Sequence, residues 1–298
     1  MSISKGRANV MLLVAAVIWG AGYLFSKQAT NAGMQAGTIN AIRGLIYAGL
    51  AYLVFHKAIN HMSWVDFRVG LTAGIINFLG FQFQTMGLMH TTPANNAFLT
   101  AIYVVMIPII MFVFFHKRPE LKTYPAIIIC MVGMMFLTGI VDHGVSLHIG
   151  DLLTIVSALF YALQIVYFSL PATDMNPWVL SFMLGITQGV FGLIYALIFE
   201  RGSFSGINWQ AGILPVIILG IFSSFGAQTL QVVGQRFTDA TPAGIILMTE
   251  SMFGSIFSVV FGFEPFTNDL LIGGVLIMIA LLVMQLNFRK MWPRKQPE

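Results

Sequence analysis

The chain has 298 residues, of which 57% are hydrophobic and only 9% are charged, with a formal net charge of +4. Soluble domains typically contain about 25% charged residues, so this surface cannot mostly face water. The basic residues lie at the ends of apolar runs, where lipid headgroups account for them. The composition therefore excludes an ordinary soluble domain and gives no indication of a nucleic-acid partner.

Apolar runs of about 20 residues, the length that crosses the hydrocarbon core of a bilayer, follow one another from the N-terminus. The first run is too long for a signal sequence and is not followed by a small-x-small cleavage site, so it is interpreted as a retained span. The runs predict ten membrane-spanning helices, at about residues 8–27, 38–56, 66–88, 94–115, 122–140, 150–170, 177–199, 210–234, 241–262 and 269–288. We therefore predict an all-α polytopic membrane protein.

One passage occurs twice in the chain. Thr92-Pro93-Ala94 and Thr241-Pro242-Ala243 each follow a stretch rich in glutamine and glycine. This duplication predicts two five-helix repeats, at residues 1–142 and 148–290, followed by a basic cytoplasmic tail at 291–298. Five spans per repeat would insert the second copy upside down, which gives an inverted pair around a central cavity and suits alternating access.

Lysine and arginine predict the orientation. With a cytoplasmic N-terminus, the inner ends of the spans carry twelve of these residues and the outer ends carry only Lys27 and Arg201, while Arg43 lies within a span. Positive charge concentrates on the cytoplasmic side of membrane proteins. We expect a multi-pass protein of the cell membrane with both termini in the cytoplasm.

Several motifs resemble the EamA-type branch of the drug/metabolite transporter superfamily. They are, in chain order, Trp19-Gly20, Asn40-Ala41-Ile42-Arg43, Ala97 to Val105 followed by Pro108, Gly150-Asp151-Leu152-Leu153 with Ala158 to Ala162, and Thr249 to Phe253 followed by Glu264-Pro265. The resemblance covers nearly the whole chain and implies a ten-helix bundle that exports small metabolites such as amino acids. The chain departs from the family at Ser251, where proline is common, and this change is expected to loosen or straighten the ninth helix.

Two ionisable residues are predicted to lie at depth in the membrane. Glu250 lies near the middle of its span and Arg43 lies five to six residues inside the second span. An ionisable group at such depth costs at least about 2.5 kcal/mol and usually faces a cavity or a partner. Glu250 could bind a substrate ammonium group or act as a protonation switch, or it could be a neutral acid bonded to a neighbouring helix. Arg43 could attract a carboxylate, pair with Glu250, or extend to the membrane surface.

Amides and aromatic residues complete the predicted site. Neutral amides can line a polar passage or tie helices together, and aromatic rings can stack on a substrate. The predicted substrate-binding residues, besides Glu250 and Arg43, are Tyr103, Tyr161, Gln82, Gln228, Gln231, Asn40, Asn96 and Trp19. Pro108, in the middle of a span, is predicted to kink its helix and serve as a hinge.

The leading functional hypothesis is a secondary transporter or facilitator that exports small polar metabolites, with amino acids as the expected cargo. The alternatives are an exporter of drugs or organic cations that uses Glu250 as counter-charge and, with little support, an intramembrane enzyme or lipid-handling protein. The sequence contains no P-loop, no common hydrolase motif and no cluster of histidine and cysteine, so we expect no enzyme, cofactor or metal site. Proton coupling stays open, and a monomer is sufficient for this architecture.

Overall fold

A computed structural model describes residues 3–91, 93–137, 148–170, 175–262 and 265–285, without the side chains of residues 93–95, 258 and 285. Every regular element within these ranges is a helix, which confirms the all-α prediction. Some sequence predictions fall outside the described residues. They are the basic tail at 291–298, the boundary near residue 142 between the predicted repeats, and the positions of Glu264, Arg289, Lys290, Arg294 and Lys295.

The helices of the first half follow one another with short connections. They are α1 (Lys5–Asn31), α2 (Ala36–Ile59), α3 (Trp64–His90), α4 (Pro93–Ala101), α5 (Tyr103–Phe115) and α6 (Thr123–Leu137). Local signals set their ends. Ser63 and Asp66 form a capping box at the start of α3, in which each side chain accepts a hydrogen bond from the backbone N–H of the other. Such reciprocal bonds satisfy N–H groups that the helix itself leaves without partners.

The second half contains α7 (Ile149–Phe168), α8 (Pro177–Phe199), a 3₁₀ turn (Arg201–Gly206), α9 (Trp209–Ile218), a π-helical segment (Leu219–Ala227), α10 (Gln228–Gln235), α11 (Ala240–Leu247), α12 (Glu250–Val260) and α13 (Asn268–Gln285). The carboxylate of Glu200, just after α8, accepts hydrogen bonds from the backbone N–H groups of Gly37 and Thr38 at 2.7 and 2.9 Å. A side chain from α8 therefore caps the start of α2.

Within the described residues, six helical stretches are long and apolar enough to cross a membrane: Lys5–Asn31, Ala36–Ile59, Asn96–Phe115, Ile149–Phe168, Pro177–Phe199 and Trp209–Gln235. Thr123–Phe136 and Asn268–Met284 are apolar but shorter. The other predicted spans fall on the less apolar α3 and on the divided stretch of α11 and α12.

In two of the predicted spans the regular helical hydrogen bonding is interrupted near the middle, although the backbone keeps right-handed helical φ and ψ; the sequence did not predict this. The first interruption is at Ile102, between α4 and α5, and lies before Pro108 rather than at it. The second is at Met248 and Thr249, between α11 and α12, where the hydroxyl of Thr249 donates to the carbonyl of Ile246 at 2.6 Å. Bonds of this kind compete with the regular helical pattern. Met248 and Thr249 keep right-handed helical φ and ψ, and the expectation that Ser251 loosens or straightens this helix stays a prediction.

Small residues allow the helices to approach closely. α2 packs along α8, α3 along α7, and α6 along α13. Where α2 crosses α8, a Cβ atom on Gly189 would lie 2.8 Å from the backbone nitrogen of Leu45. Close approach of backbones at small residues is the usual means of helix association in a bilayer. These contacts bring α1, α3, α7 and α12 around the centre of the bundle.

Candidate functional site

A cavity at the centre of the bundle encloses about 70 Å³ of free space. Its walls come from helices of both halves of the chain. The lining residues are Trp19, Gly22, Tyr23, Ser26, Arg43, Phe81, Gln84, Thr85, Leu88, Asn96, Tyr103, Tyr161, Gln164, Ile165, Ser223, Gln228, Gln231, Leu247 and Glu250. The cavity wall therefore contains one acid, one base and several aromatic rings together with neutral amide and hydroxyl groups.

Glu250 is the acidic group of the cavity. It is the first residue of α12, directly after the interruption of the helix. Its side chain is nearly buried, and one carboxylate oxygen accepts a hydrogen bond from the hydroxyl of Tyr23 at 3.4 Å. This bond from α1 holds the carboxylate at the cavity wall.

α1 reaches Glu250 because Gly20 has no side chain. A Cβ atom on Gly20 would lie 2.6 Å from the backbone oxygen of Glu250 and 2.7 Å from the backbone nitrogen of Gly254. Next to it, the indole N–H of Trp19 donates to the carbonyl of Ser223 at 3.0 Å. The Trp19-Gly20 motif thus packs α1 against α12 on one side and the π-helical segment on the other.

A chain of hydrogen bonds extends from Glu250 across the cavity. The hydroxyl of Tyr161 donates to the side-chain oxygen of Gln84 at 2.8 Å, and the amide nitrogen of Gln84 donates to the hydroxyl of Tyr23 at 3.3 Å. The same nitrogen lies 3.3 Å from the hydroxyl of Thr100. Each donor in the chain is directed towards Glu250, so Gln84 fixes the orientation of both tyrosine hydroxyls.

Arg43 is the basic group of the cavity and is 3% exposed. Its guanidinium donates to the hydroxyls of Ser224 and Ser223 at 2.8 and 3.0 Å, and it lies 4.4 Å from the centre of the Phe81 ring. In the part of the chain that the structure describes, no carboxylate forms an ion pair with it. The pairing of Arg43 with Glu250 that the sequence left open is absent from this conformation.

The remaining predicted residues fall into two groups. Trp19, Tyr103, Tyr161, Asn96, Gln228 and Gln231 line the cavity together with Glu250 and Arg43. The amide nitrogens of Asn96 and Gln228 donate to Thr154 and Asn77 respectively. Their side-chain oxygens are buried and have no hydrogen-bond partner among the described residues. Two lining residues therefore each carry an amide oxygen without a hydrogen-bond partner among the described residues.

Asn40 and Gln82 lie outside this lining. The amide of Asn40 donates to Gln82 at 2.9 Å and accepts from Gln188 at 3.1 Å, which ties α2, α3 and α8 together. Their position fits the role of joining helices, which amides commonly have within membranes. Pro108 lies inside α5 and borders a different cavity, so it does not contact the central one.

Eleven lining residues were not among the predicted contacts, and four of these contact the predicted residues: Tyr23, Gln84, Phe81 and Ser223. Tyr23 and Gln84 had a signal in the sequence, as an aromatic residue and an amide in apolar spans. Ser223 had none, because its importance comes from Arg43 and Trp19 on helices of the other half. The described residues contain no group of three or more potential metal ligands.

The apolar helices and the polar cavity between them define a multi-pass membrane protein of the transporter class. The profile of the EamA-like transporter family matches the chain twice, at residues 6–139 and 148–286. The chain therefore belongs to the EamA-like transporter family, as the sequence motifs predicted. Membership indicates transport of small molecules across a membrane.

Individual relatives agree with this assignment. An "Uncharacterized transporter" of Archaeoglobus fulgidus is 32% identical over 280 residues, which is 94% of this chain and 86% of the relative. An "Uncharacterized transporter" of Methanothermobacter thermautotrophicus is 24% identical over 67% of this chain and 59% of the relative. A crystal structure that is 17% identical has a TM-score of 0.78 over 97% of this chain and 99% of the other. This last similarity concerns the fold alone.

Proposed function

We propose that the protein is a secondary transporter or facilitator that carries small zwitterionic metabolites, amino acids above all, out of the cell. The observation that carries this proposal is the pair of opposite charges in one cavity. Arg43 and Glu250 both line it, yet neither forms an ion pair with the other or with another described residue. A buried charge without a counter-ion is costly. A zwitterion supplies a carboxylate for Arg43 and an ammonium group for Glu250 at once.

The rest of the lining suits an amino acid with an apolar side chain. Phe81, Ile165 and Leu247 provide apolar surface, and Trp19 provides a flat aromatic face. The unpartnered oxygens of Asn96 and Gln228 are acceptors for further N–H groups of a ligand. Leucine is therefore a suitable probe, since it combines both charges with an apolar side chain.

We propose that the architecture is two inverted five-helix repeats with ten spans. The contacts between helices support this architecture. The main helix pairs that pack together in the bundle each have a counterpart in which every helix is replaced by the corresponding helix of the other repeat. α3 packs on α7 as the α9–α10 stretch packs on α1, and α4 and α5 pack on α7 as α11 and α12 pack on α1. α2 with α8 and α6 with α13 are pairs that such an exchange maps onto themselves. The two separate family matches agree with this duplication.

The divided helices provide a means of alternating access. Ligand sites in proteins typically enclose 300–1,000 Å³, so a cavity of about 70 Å³ must widen before it holds an amino acid. The interruptions at Ile102 and at Met248–Thr249 lie in corresponding spans of the two proposed repeats. Discontinuous helices at the interface of repeats form the substrate sites of many transporters. We propose that movement at these interruptions opens the cavity to either side.

Location and direction follow from the same proposal. The distribution of lysine and arginine supports a cytoplasmic location of both termini, and the cell membrane is the expected site. The resemblance to the family implies export. Lys5 at the start of α1 and Asp239 just before α11 form an ion pair at 3.7 Å. The beginnings of these two helices therefore lie at the same face of the bundle, as the proposed topology requires.

An exporter of organic cations is the second candidate. The aromatic rings of Trp19, Tyr23, Tyr103 and Tyr161 beside Glu250 favour it, because cations bind to aromatic faces. This alternative gives Arg43 no role in binding, and a basic group in the cavity wall would repel a cationic ligand. The two candidates therefore differ in whether the ligand must carry a carboxylate.

Flux into liposomes distinguishes these candidates. Liposomes that contain the purified protein and internal leucine are expected to accumulate labelled leucine by exchange, above the level of protein-free liposomes. Isopentylamine, which is leucine without its carboxylate, should compete poorly. Strong competition by isopentylamine would favour the organic-cation exporter, and absence of exchange across a panel of amino acids would refute the proposal. Repeating the measurement with an imposed proton gradient tests coupling.

A further inference from the structure

A second, larger cavity lies at one end of the bundle. It encloses about 1140 Å³ between the first residues of α1, α6 and α11 and the last turns of α5 and α13. We call it the basic cleft, and we define it by its four cationic residues, Lys5, Lys117, Arg118 and Lys122. It shares no lining residue with the central cavity. The proposed transport function therefore does not account for it.

The charges of the basic cleft are not balanced. It contains two carboxylates, Glu120 and Asp239, against four cations, so its formal net charge is +4 − 2 = +2. Each carboxylate already has a lysine partner, since Lys122 lies 3.2 Å from Glu120 and Lys5 lies 3.7 Å from Asp239. Lys117 and Arg118 form no ion pair with any residue that the structure describes. The cleft thus presents two adjacent cations that are available to an anion.

The end of α5 fixes the position of these two cations. His116 adopts a left-handed conformation with a φ of 52°. Beyond it, the backbone N–H of Lys117 donates to the carbonyl of Met111 at 3.2 Å. This is the bond that ends a helix with a sharp change of direction. Lys117 and Arg118 therefore begin a connection whose backbone is anchored to α5, and they lie at the rim of the cleft.

Exposed apolar side chains flank these two cations in the chain. Leu121, which lines the cleft, is 86% exposed, and Val113 and Phe114 in α5 and Tyr124 in α6 are 57%, 69% and 52% exposed. No described part of the protein covers these side chains, and their helices belong to the membrane-spanning bundle. We therefore expect lipid chains to cover them. The rim combines a cationic recess with an acyl-chain surface, which are the two parts of an amphiphile's binding site.

We propose that the basic cleft binds one anionic phospholipid, with the headgroup phosphate at Lys117 and Arg118 and the acyl chains along the exposed face of α5. The guanidinium of Arg118 can hold a phosphate through two parallel hydrogen bonds, and Lys117 adds a point charge. A zwitterionic headgroup brings its own cation to a recess that already has an excess of two positive charges. The site therefore selects lipids with a net negative charge, as basic pockets between membrane helices do.

Lipid retention tests this site without any assay of transport. The full-length protein is incubated in mixed micelles with equal amounts of phosphatidylcholine and phosphatidylglycerol and then re-isolated. The bound lipids are counted by mass spectrometry. The wild type should retain phosphatidylglycerol in preference to phosphatidylcholine. The variant K117Q/R118Q should bind phosphatidylglycerol about 30-fold more weakly, from the usual contribution of two cations near an anionic lipid.

A matched control removes the same charge elsewhere. The variant K57Q/R68Q neutralises an exposed lysine and arginine that do not line the cleft, and it should retain phosphatidylglycerol as the wild type does. Exchanging the two residues, with Lys117→Arg and Arg118→Lys, should also preserve retention. A separate arm adds free glycerol 3-phosphate, which should not displace the lipid at equal concentration.

Three outcomes would overturn the proposal. They are equal retention by the wild type and K117Q/R118Q, an equal loss in K57Q/R68Q, and displacement by glycerol 3-phosphate. The last outcome would assign the recess to a soluble phosphate instead of a lipid. None of these outcomes depends on whether the protein transports leucine, so the failure of one proposal leaves the other intact.

Discussion

Replacing Gln84 with leucine separates substrate positioning from helix packing. The Gln84 side chain bonds to Tyr161 at 2.8 Å and to Tyr23 and Thr100 at 3.3 Å each. Leucine has a similar size but no polar group, so all three bonds are lost. Tyr23 then has no fixed orientation from which to support Glu250. The proposed ammonium site loses its shape while both charged residues stay in the cavity.

The size of the effect follows from the bond that depends on Gln84. A hydrogen bond to a charged group contributes about 1.5–3 kcal/mol. The Tyr23–Glu250 bond is long, at 3.4 Å, so the lower end of that range applies. Since about 1.4 kcal/mol changes a binding constant tenfold, we expect Gln84→Leu to raise the KM for leucine exchange about tenfold. The maximal rate per folded protein should be preserved, because the helix interruptions are intact.

Gln82→Leu is the matched control, two residues away on the same helix. Gln82 is buried, and its partner is Asn40 at a helix interface rather than a residue of the cavity. Without the Gln82 side chain, the buried amide N–H of Asn40 has no acceptor, which costs about 1–3 kcal/mol of stability. Thermal unfolding in detergent should show a lower Tm for Gln82→Leu, whereas leucine exchange should keep its KM. A similar rise in KM for both variants, or for neither, would refute the assignment of Gln84 to positioning.

Three further predictions concern the scaffold. Gly20→Leu should abolish leucine exchange and lower the Tm, because even a Cβ atom lies 2.6 Å from the α12 backbone, and overpacking of this kind costs about 1–3 kcal/mol or more. Unchanged exchange would mean that α1 does not support Glu250. Glu200→Ala should destabilise the protein by about 2 kcal/mol and Glu200→Gln by less, since the carboxylate caps α2 through Gly37 and Thr38. Thermal unfolding checks the order, and equal Tm values for both variants and the wild type would contradict it. Asp239→Asn should leave the Tm unchanged, because the ion pair with Lys5 is exposed and such pairs contribute little. A clear loss would show that this contact supports the bundle.

The sequence predicted the helical class because apolar run length and turn residues are local signals. The Trp19-Gly20 motif was also visible in the sequence, although its two contacts were not. The helix interruptions were missed for a physical reason. At Thr249 a hydroxyl bonds to the carbonyl of Ile246, and threonine forms such bonds in many helices whose hydrogen bonding stays regular. Proline at 108 gave a stronger local signal, but the interruption lies at Ile102.

The sequence predicted the kinds of residue that line the site better than it predicted which individual residues line it. Gln82 and Gln84 lie two residues apart on one helix, so they face in different directions. The sequence shows that one faces away from the other, but it does not show which of them faces the cavity. Arg43 illustrates the same limit, because its partners Ser223 and Ser224 are about 180 residues away along the chain. Contacts between residues so far apart in the chain produce no local sequence pattern from which they could be predicted.

The central claim is that Arg43 and Glu250 together bind a zwitterion. The most direct test is to measure, in variants of each residue, how strongly two analogues of leucine inhibit leucine exchange. Isopentylamine lacks the carboxylate of leucine, and 4-methylpentanoate lacks its amino group. If Arg43 binds the carboxylate and Glu250 the ammonium, Arg43→Gln should weaken inhibition by 4-methylpentanoate, and Glu250→Gln should weaken inhibition by isopentylamine. Arg68→Gln and Glu120→Gln, which remove equal charges outside the cavity, should change neither. Loss of both inhibitors in each variant, or no change in either, would contradict recognition of a zwitterion by this pair.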